Sequence, residues 1–264
     1  MPVINSRQNP VVRTFRDLAR QPDATGTRLL LDGAHLIREA IAAGVEFETV
    51  AVVASRATGT EEADVARAAD DYGARVLTVS DSAFAAMSPV RAPSGIVAIA
   101  RREPIDTKEI CRRENGFVLI AVDVQDPGNV GSLVRAGEAG GITGVLVCGA
   151  SASPFSWKAV RGSMGSVLRV PVPAEPTIDA AVSCIRNHGG RVVAAVPRHR
   201  HDPDAVSWRG HVALLIGGEG SGLSEADVRQ ADELVTIPMA EPVESLNVAV
   251  AGAILVYAAR RQRA

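Results

Sequence analysis

Short runs of β-branched and aliphatic residues alternate with helix-like stretches along the whole chain of 264 residues. This alternation is typical of an α/β protein whose strands are mainly parallel. In the first half, the pattern predicts strands at RLLLDG, TVAVVA, RVLTV and GIVAIA, with helices from about Ala34 to Ala43 and from Glu61 to Tyr72. Together these elements predict a small compact unit.

The predicted strands of the second half are almost continuously apolar: FVLIAVDV, GVLVCG, RVVAAVP, VALLIGG and LVTIP. Runs of this kind suit strands covered on both faces, so this half predicts a doubly wound parallel sheet. Its helices are predicted near residues 130–139, 156–164, 178–187, 225–231 and 246–261. Because ligands of such sheets bind beyond the carboxyl ends of the strands, the polar loops that leave those ends are where chemistry is expected.

The segment REPIDTKEICRRENG separates the two halves. It is charged, lacks a long apolar stripe and contains Pro104, all of which favour a linker. We therefore predict an amino-terminal domain at residues 1–103, a linker at 104–115 and a carboxyl-terminal domain at 116–264.

The first polar loop, DVQDPGNVGSLVRAGEAGG, follows a predicted buried strand and leads into a helix. Asn129 is a candidate N-cap of that helix, because its side-chain oxygen can accept hydrogen bonds from free backbone N–H groups. Arg135 lies three and four positions beyond Ser132 and Gly131, so its guanidinium shares a helix face with residues too small to cover it. This bare face indicates a binding site for a ligand.

The second loop, LLIGGEGSGLSEADV, places a glycine-rich turn between a strand and a helix that Ser224 can cap. Two familiar nucleotide motifs do not fit it. A phosphate-binding loop needs a lysine before its serine, where this chain has Leu223, and the evenly spaced glycines differ from the dinucleotide fingerprint. Because Glu219 would repel an anionic pyrophosphate, the turn better suits a neutral or cationic ligand.

The third loop, VTIPMAEPVESLNVAVA, contains Pro238 and Pro242, which stop the preceding strand and force an irregular connection. Ser245 is then a candidate cap of the final helix. Asn247 follows in the first turn beside an apolar face, where a buried amide without partners would cost roughly 1–3 kcal/mol. Its partner is therefore predicted to be either another protein group or a ligand.

Composition excludes several classes of protein. The longest apolar stretch, residues 246–259, is interrupted by Asn247 and is shorter than the roughly 20 residues of a membrane-spanning helix. The amino terminus lacks an apolar segment after a basic start, so no signal peptide is predicted and a cytoplasmic location is expected. Cys111, Cys148 and Cys184 are scattered without CxxC spacing, which argues against a disulfide framework or a zinc site, and no metal is expected.

Charge is uneven along the chain, although the formal net charge is only -2. The first 28 residues contain five arginines and two aspartates. Solvated surface charge explains such a segment as well as phosphate binding does, because arginine-rich arms are also the usual electrostatic contact with nucleic acids.

Three ordered motifs, NVGSLVRA, GGEGSGL and IPM-x(5)-SLNVAVA, resemble those of the SpoU (TrmH-type) branch of the SPOUT methyltransferases. The resemblance covers essentially the whole chain. SPFSWKAVRGSMGSVLRVPV is similar to the family's intermotif segment, and SRQNPVVRTFRDL and LLLDGAHLIREAIAAG are similar to its substrate-binding domain of the ribosomal protein L30e type. Three motifs in the right order and at suitable spacing make this a specific match.

The resemblance implies a carboxyl-terminal α/β domain with a deep trefoil knot and a smaller amino-terminal L30e-like α/β domain that binds RNA. It also implies S-adenosyl-L-methionine as cofactor and transfer of its methyl group to a ribose 2'-hydroxyl in structured RNA. Ribosomal RNA of the 23S type is favoured over transfer RNA, because an L30e-like domain suits a structured RNA loop. A homodimer packed through the final helix would explain why LNVAVAGAILVYAA is apolar around so much of its circumference.

The resemblance also implies three sets of site residues. The catalytic positions match Asn129, Arg135, Glu219, Ser245 and Asn247. The cofactor-binding positions match Gly217, Gly218, Ile237, Met239 and Leu246. RNA contacts are expected from Arg7, Arg13, Arg16 and Arg161. Arg135 is the family's proposed base, but a guanidinium keeps its proton unless it is strongly perturbed, so anchoring of an RNA phosphate is the preferred role here.

The chain departs from the family pattern in two places. AEPVE lies between IPM and SLN where glycine is common, which predicts a stiffer loop over the cofactor, and Asp32 occupies a position where glutamate is usual. The aromatic content of 3% leaves few side chains to stack on bases, so recognition of RNA shape, phosphates and 2'-hydroxyl groups is favoured. Two other functions stay open: an RNA-binding or ribosome-assembly protein without turnover, and a nucleotide-dependent α/β enzyme of another type, which the failed nucleotide motifs disfavour.

Overall fold

The chain divides into two compact units. The computed structural model describes residues 3–90, 92–174, 176–198, 201–220 and 222–263. The first unit contains Met1–Pro104 and Phe155–Arg169, and the second contains Ile105–Pro154 and Val170–Ala264. The first unit therefore includes a segment from within the predicted 116–264 domain, so the uninterrupted carboxyl-terminal domain expected from the sequence does not match this division.

The described residues form ten α-helices and nine β-strands. The helices are α1 Pro10–Arg20, α2 Ala34–Ala42, α3 Glu61–Asp71, α4 Asp81–Met87, α5 Thr107–Cys111, α6 Pro127–Gly140, α7 Trp157–Gly162, α8 Ile178–Asn187, α9 Glu225–Val228 and α10 Val248–Arg263. The strands are β1 Arg28–Asp32, β2 Glu46–Val53, β3 Val76–Val79, β4 Ile96–Arg101, β5 Phe117–Val122, β6 Gly144–Cys148, β7 Arg191–Ala195, β8 Val212–Gly217 and β9 Glu233–Val235. All nine predicted strands are confirmed, whereas α1, α4 and α5 were not predicted.

The predicted linker at 104–115 contains helix α5 instead of an unstructured connection. Asp106 caps this helix by accepting a hydrogen bond from the backbone N–H of Lys108 at 2.9 Å. Ile110 and Cys111 are fully buried in the core of the second unit. The segment predicted as a linker is therefore helical at residues 107–111, and two apolar side chains anchor it in the second unit.

The sheet of the first unit is mixed. Its strand order is β1-β4-β2-β3, in which β4 runs antiparallel to both β1 and β2, and β2 runs parallel to β3. The prediction of mainly parallel strands is wrong here, because the apolar pattern of a strand does not indicate whether it pairs parallel or antiparallel. Helices α1 and α4 cover one face with fully buried side chains, among them Phe15 and Met87.

The sheet of the second unit is entirely parallel. Its order is β6-β5-β8-β7-β9, and every residue of β5 and β6 is buried. This confirms the doubly wound parallel sheet predicted from the continuous apolar runs. The chain leaves β5 for β6 on one side, while β8 lies on the other, so the strand order reverses between β5 and β8.

Glycines allow helix α10 to pack closely on helix α6. A Cβ atom at Gly140 would lie closer than 3.0 Å to Cγ1 of Val256, and one at Gly252 would lie equally close to Cδ2 of Leu133. Neither side chain leaves room for a methyl group, so both glycines are needed for the two helices to pack this closely. Helix α10 is the apolar final helix predicted from the sequence, and no helix within the described residues has both the length and the apolarity to cross a bilayer.

Replacing Gly140 by alanine is expected to destabilise this helix pair by about 1–3 kcal/mol, because the new methyl group overlaps Val256. The double variant Gly140→Ala/Val256→Ala removes the overlap. Its loss in free energy of unfolding should be smaller than the sum of the two single losses by roughly 1 kcal/mol or more. Urea unfolding followed by circular dichroism measures all three variants. Strict additivity would show that Gly140 and Val256 do not interact in this way.

Candidate active site

A cavity of about 360 Å³ lies at the carboxyl edge of the second sheet. The ends of β7, β8 and β9 contribute its floor, and the segment that leads into α10 contributes its wall. Most of the lining is aliphatic or glycine. Among the described lining residues, Glu219 is the one ionisable group. The cavity therefore suits a largely apolar ligand that carries positive charge close to Glu219.

The glycines of the second loop permit two close backbone approaches. A Cβ atom at Gly217 would lie closer than 3.0 Å to the backbone of Gly222 and Leu223. One at Gly218 would overlap the carbonyl oxygen of Asp123, next to the backbone hydrogen bond from Gly218 N–H to Val122 at 2.7 Å. The sequence has more glycines than a simple turn needs because this loop folds onto itself and onto the end of β5. Ser221 of this motif lies outside the described residues.

Three predicted catalytic residues form one hydrogen-bonded network. Asn247 donates from Nδ2 to Oδ1 of Asn129 at 3.2 Å, and Asn129 donates from Nδ2 to Oε1 of Glu219. These residues come from the start of α10, the first turn of α6 and the loop after β8. Glu219 and Asn247 line the cavity, whereas Asn129 bridges them from behind. The first, second and third loops therefore meet at one wall.

The structure corrects two cap assignments. Asp126, and not Asn129, caps helix α6, since its Oδ1 accepts the hydrogen bond of Asn129 N–H at 2.9 Å. Asn247, and not Ser245, takes the capping position of helix α10, with its Oδ1 accepting from Ala249 N–H at 2.9 Å. Both errors arise because several adjacent residues could act as caps.

The predicted cap of helix α9 is confirmed. Ser224 accepts a hydrogen bond from Asp227 N–H at 3.1 Å, and the Asp227 side chain accepts one from the serine backbone in return. This reciprocal pair fixes the exit of the glycine-rich turn, one residue after Leu223 of the cavity lining.

Asn247 is an exposed side chain in the single chain, so its predicted burial is wrong. Its amide nevertheless has protein partners on both atoms, which is one of the two alternatives that the sequence left open. Ser245 is also exposed and lines the cavity. Both side chains are therefore accessible to a ligand.

Arg135 is exposed on helix α6 two turns after its start. Within the described residues it does not line the cavity and has no hydrogen-bond or ion-pair partner. Gly131 is buried and Ser132 is half-buried, so the small residues predicted beside the guanidinium pack against the protein instead of forming a bare exposed face. Arg135 keeps all its donors free for an external partner.

The structure places all the predicted cofactor-binding residues around one cavity. They are Gly217, Gly218, Ile237, Met239 and Leu246. The sequence did not predict that the end of β7 contributes to the same lining through Ala195, Val196 and Pro197. The proline directly after a buried strand was the available signal, because it marks the point where that strand ends.

The predicted RNA-binding arginines belong to the first unit. Arg7 donates to the carbonyl of Ser82 at 3.0 Å, Arg13 is exposed, and Arg16 lies 3.8 Å from its neighbour Asp17. Arg7 and Arg13 are exposed, as a phosphate-binding surface requires, whereas Arg16 is half-buried and its Nε is buried.

Arg161 on helix α7 is exposed and interacts electrostatically with Asp32. Burial raises the pKa of the Asp32 carboxyl, while a hydrogen bond from the Ser88 hydroxyl at 2.9 Å and the Arg161 charge act against that shift. Asp32 therefore has its own protein partner in Ser88.

Burial keeps two cysteines protonated. It raises the pKa of Cys148, at the end of β6, to about 12, and it raises the pKa of Cys111 as well. A thiol needs to ionise before it acts as a nucleophile or metal ligand, so neither residue is suited to that chemistry.

Fold and site together define an α/β protein with a ligand-sized cavity beyond the carboxyl ends of a parallel sheet. Comparison with known families then identifies it more closely. The sequence model of the SpoU rRNA methylase family matches residues 116–257, more than half of the chain, and that of an MRM3-like substrate binding domain matches residues 9–98. The chain therefore belongs to the SpoU rRNA methylase family, which confirms the resemblance predicted from the three motifs.

Individual relatives are similar over almost their full length. An uncharacterised tRNA/rRNA methyltransferase of Synechocystis is 30% identical, with 98% of this chain and 94% of the relative covered. The 23S rRNA (guanosine(2553)-2'-O)-methyltransferase RlmP of Bacillus subtilis is 29% identical over 97% of this chain and 98% of its own. The structure of an AdoMet-bound rRNA methyltransferase from Sinorhizobium meliloti is 27% identical with a TM-score of 0.84, covering 98% of this chain and 97% of that one.

Proposed function

We propose that this protein is an S-adenosyl-L-methionine-dependent methyltransferase that methylates a ribose 2'-hydroxyl in 23S-type ribosomal RNA. The observation that carries the proposal is that the second and third motif loops line a single cavity with one carboxylate, and that Asn129 of the first loop is hydrogen-bonded to both of them. The relative from Bacillus subtilis, named for 2'-O-methylation of 23S rRNA, and the AdoMet-bound Sinorhizobium meliloti structure support it.

The lining of the cavity fits this cofactor. Ile237, Met239 and Leu246 offer an apolar surface to the adenosine, and glycines 217 and 218 allow the ligand to approach the backbone. Glu219 is the charge that matches a cationic ligand. When bound, S-adenosyl-L-methionine supplies a methyl group activated by a positively charged sulfur.

Methyl transfer requires the ribose oxygen to be held in line with the methyl carbon. The ribose oxygen would take the methyl group as the bond between that carbon and the cofactor sulfur breaks. The hydroxyl proton would pass to solvent water, and the neutral thioether would leave the cavity. The exposed groups of Ser245 and Asn247 lie where they can orient the ribose. Arg135, with its donors free, binds an RNA phosphate and brings the hydroxyl to the cavity.

The first unit supplies RNA binding in this proposal. Arg7, Arg13, Arg16 and Arg161 contact phosphates, and the unit adopts the L30e-like fold. Support comes from the match to a substrate binding domain over residues 9–98 and from the exposure of Arg7, Arg13 and Arg161. The reaction is then expected in the cytoplasm, because the proposed substrate is ribosomal RNA.

The second unit is proposed to contain the trefoil knot of the family and to form a homodimer. Four large apolar residues of this unit are 41–52% exposed: Val243, Val250, Ile254 and Tyr257. The last three follow one face of helix α10. Such a face is costly in water and suits a second copy of the same helix.

Cofactor binding and methyl transfer test the proposed function directly. Calorimetry should detect binding of S-adenosyl-L-methionine. The variant Ala251→Leu, which extends into the cavity, should weaken binding by roughly tenfold or more. The matched variant Ala249→Leu, on the same helix but outside the lining, should not. Equal affinities in the two variants would place the cofactor elsewhere.

Tritiated methyl transfer to purified 23S rRNA and to transfer RNA then separates the alternatives. Label in 23S rRNA, mapped to a 2'-O-methylated nucleotide, is expected. If only transfer RNA becomes labelled, transfer RNA and not 23S rRNA is the substrate. Cofactor or RNA binding with no transfer to either RNA would favour a ribosome-assembly protein without turnover.

A further inference from the structure

Asn129 is the one member of the Asn247–Asn129–Glu219 network that does not line the cavity. We propose that Asn129 is a positioning residue that holds Glu219 and Asn247 at a fixed separation, and that the cap of helix α10 sets the direction of its hydrogen bonds. The inference rests on the proposed function, since it assigns a role within that site.

The orientation of the Asn247 amide is fixed by helix α10. Its Oδ1 accepts two backbone hydrogen bonds, from Ala249 N–H at 2.9 Å and from Val250 N–H at 3.3 Å. Backbone N–H groups can only donate, so the oxygen has to face the helix. The nitrogen Nδ2 therefore faces away from the helix, toward Asn129.

The orientation of Asn129 follows from that of Asn247. Because Asn247 presents a donor, Asn129 has to present its oxygen, and the contact measures 3.2 Å. The nitrogen of Asn129 is then directed at Glu219, whose carboxylate can only accept while it is ionised. Each amide in the network has one acceptable orientation, and Glu219 is the acceptor that ends it.

The direction of these two hydrogen bonds determines what residue 129 has to supply. It has to accept a hydrogen bond from Asn247 and share one with residue 219, but it needs no contact with a ligand. The separations along the chain are 118 residues from Asn129 to Asn247 and 90 residues to Glu219, so a single side chain connects the three motif loops. Loss of this bridge would let Glu219 and Asn247 move independently in the cavity wall.

An exchange of the amide and the carboxylate tests the proposal. In Asn129→Asp, the acceptor for Asn247 remains, but the new carboxylate faces Glu219 and repels it. We expect kcat to fall about 100-fold, since small displacements of positioned groups cost this much, and the repulsion between the two carboxylates also to lower the free energy of unfolding. In Asn129→Asp/Glu219→Gln, the amide introduced at position 219 donates to the carboxylate introduced at position 129, and the net charge equals that of the wild type.

The exchange variant is expected to recover at least about tenfold in kcat over Asn129→Asp. Recovery should be partial because the carboxylate of Asp126 lies in the same turn as residue 129, and because Glu219→Gln removes the charge that faces the ligand; Glu219→Gln alone measures that second loss. Asn129→Asp/Glu244→Gln is the matched control. Glu244 is exposed, pairs with Arg198 and does not line the cavity, so its replacement removes nearby charge and should recover nothing.

Two results would overturn the positioning role. If Asn129 donates to the substrate itself, the exchange variant stays as slow as Asn129→Asp, because it lacks the amide at position 129. If recovery comes from charge alone, the Glu244→Gln control recovers equally. A structural role would change stability without this pattern in kcat.

Failure of the proposed function is distinguishable from failure of the inference. If the wild type transfers no methyl group, the cycle of Asn129→Asp, Glu219→Gln and their double variant still applies to the free energy of unfolding. Coupling between positions 129 and 219, together with protected Asn247 side-chain amide protons in protein with ¹⁵N-labelled asparagine, supports the network. Additive stabilities and rapidly exchanging Asn247 protons would contradict it.

Discussion

Gly218→Ala should unfold more easily than the wild type by about 3 kcal/mol and should bind S-adenosyl-L-methionine at least tenfold more weakly. The added methyl group would overlap the backbone of Asp123 and approach Val124 N closely. Backbone atoms cannot rotate away as a side chain can. Relief therefore requires the end of β5 to separate from β8, where Gly218 N–H now bonds to Val122 at 2.7 Å.

Gly220→Ala is the matched control for this prediction. Apart from its two chain neighbours, no atom of the described residues lies within 4 Å of a Cβ at Gly220, but its φ of +87° is in the left-handed region, so about 1 kcal/mol is expected from backbone strain alone. Urea unfolding and calorimetry measure both variants. If Gly218→Ala were no less stable than Gly220→Ala, the close approach to Asp123 would not be a constraint on this loop.

Arg135→Lys should lower methyl transfer about 100-fold while leaving the affinity for S-adenosyl-L-methionine unchanged. Lysine keeps the positive charge but loses the planar pair of donors that binds a phosphate in two places. The cofactor should be unaffected because Arg135 does not line the cavity within the described residues. Single-turnover transfer of tritiated methyl to RNA, with calorimetry of the cofactor, separates the two effects.

The salt dependence of RNA binding tests whether Arg135 contacts an RNA phosphate or instead acts as the general base of the reaction. A phosphate role predicts that Arg135→Ala reduces the slope of log affinity against log salt by about one unit. Arg229→Ala, at an exposed arginine paired with Glu225 in the same unit, is the matched control and should keep the slope of the wild type. Near-normal turnover of Arg135→Lys with weaker RNA binding would contradict the two-point contact as a requirement for catalysis.

The second sheet was predictable from the sequence because its strands are buried on both faces. That burial leaves continuous apolar runs in the sequence, and all five strands were located. The first sheet was predictable only as a set of strands, since direction depends on connections between them. Helix α5 was missed because only Ile110 and Cys111 are buried in a segment that is otherwise charged.

The candidate site was predictable as three loops but not as a network. The motif residues indicated which loops carry chemistry, and parallel strands explain why loops distant in sequence converge. The cap of helix α10 determines that Asn129 bridges the loops while Asn247 lines the cavity. The sequence favoured Ser245 over Asn247 for that cap. Local patterns offered several equivalent hydrogen-bond acceptors, and only the tertiary contacts selected among them.

The assignment of Phe155–Arg169 to the first unit means that the chain passes between the two units three times. Contacts such as Arg169 with Glu39 at 2.5 Å tie this excursion to residues more than a hundred positions earlier. A single crossover between related genes would therefore exchange one unit only in part. New combinations of the two units have to preserve this interleaved segment with its own partner, which restricts how proteins of this architecture diversify.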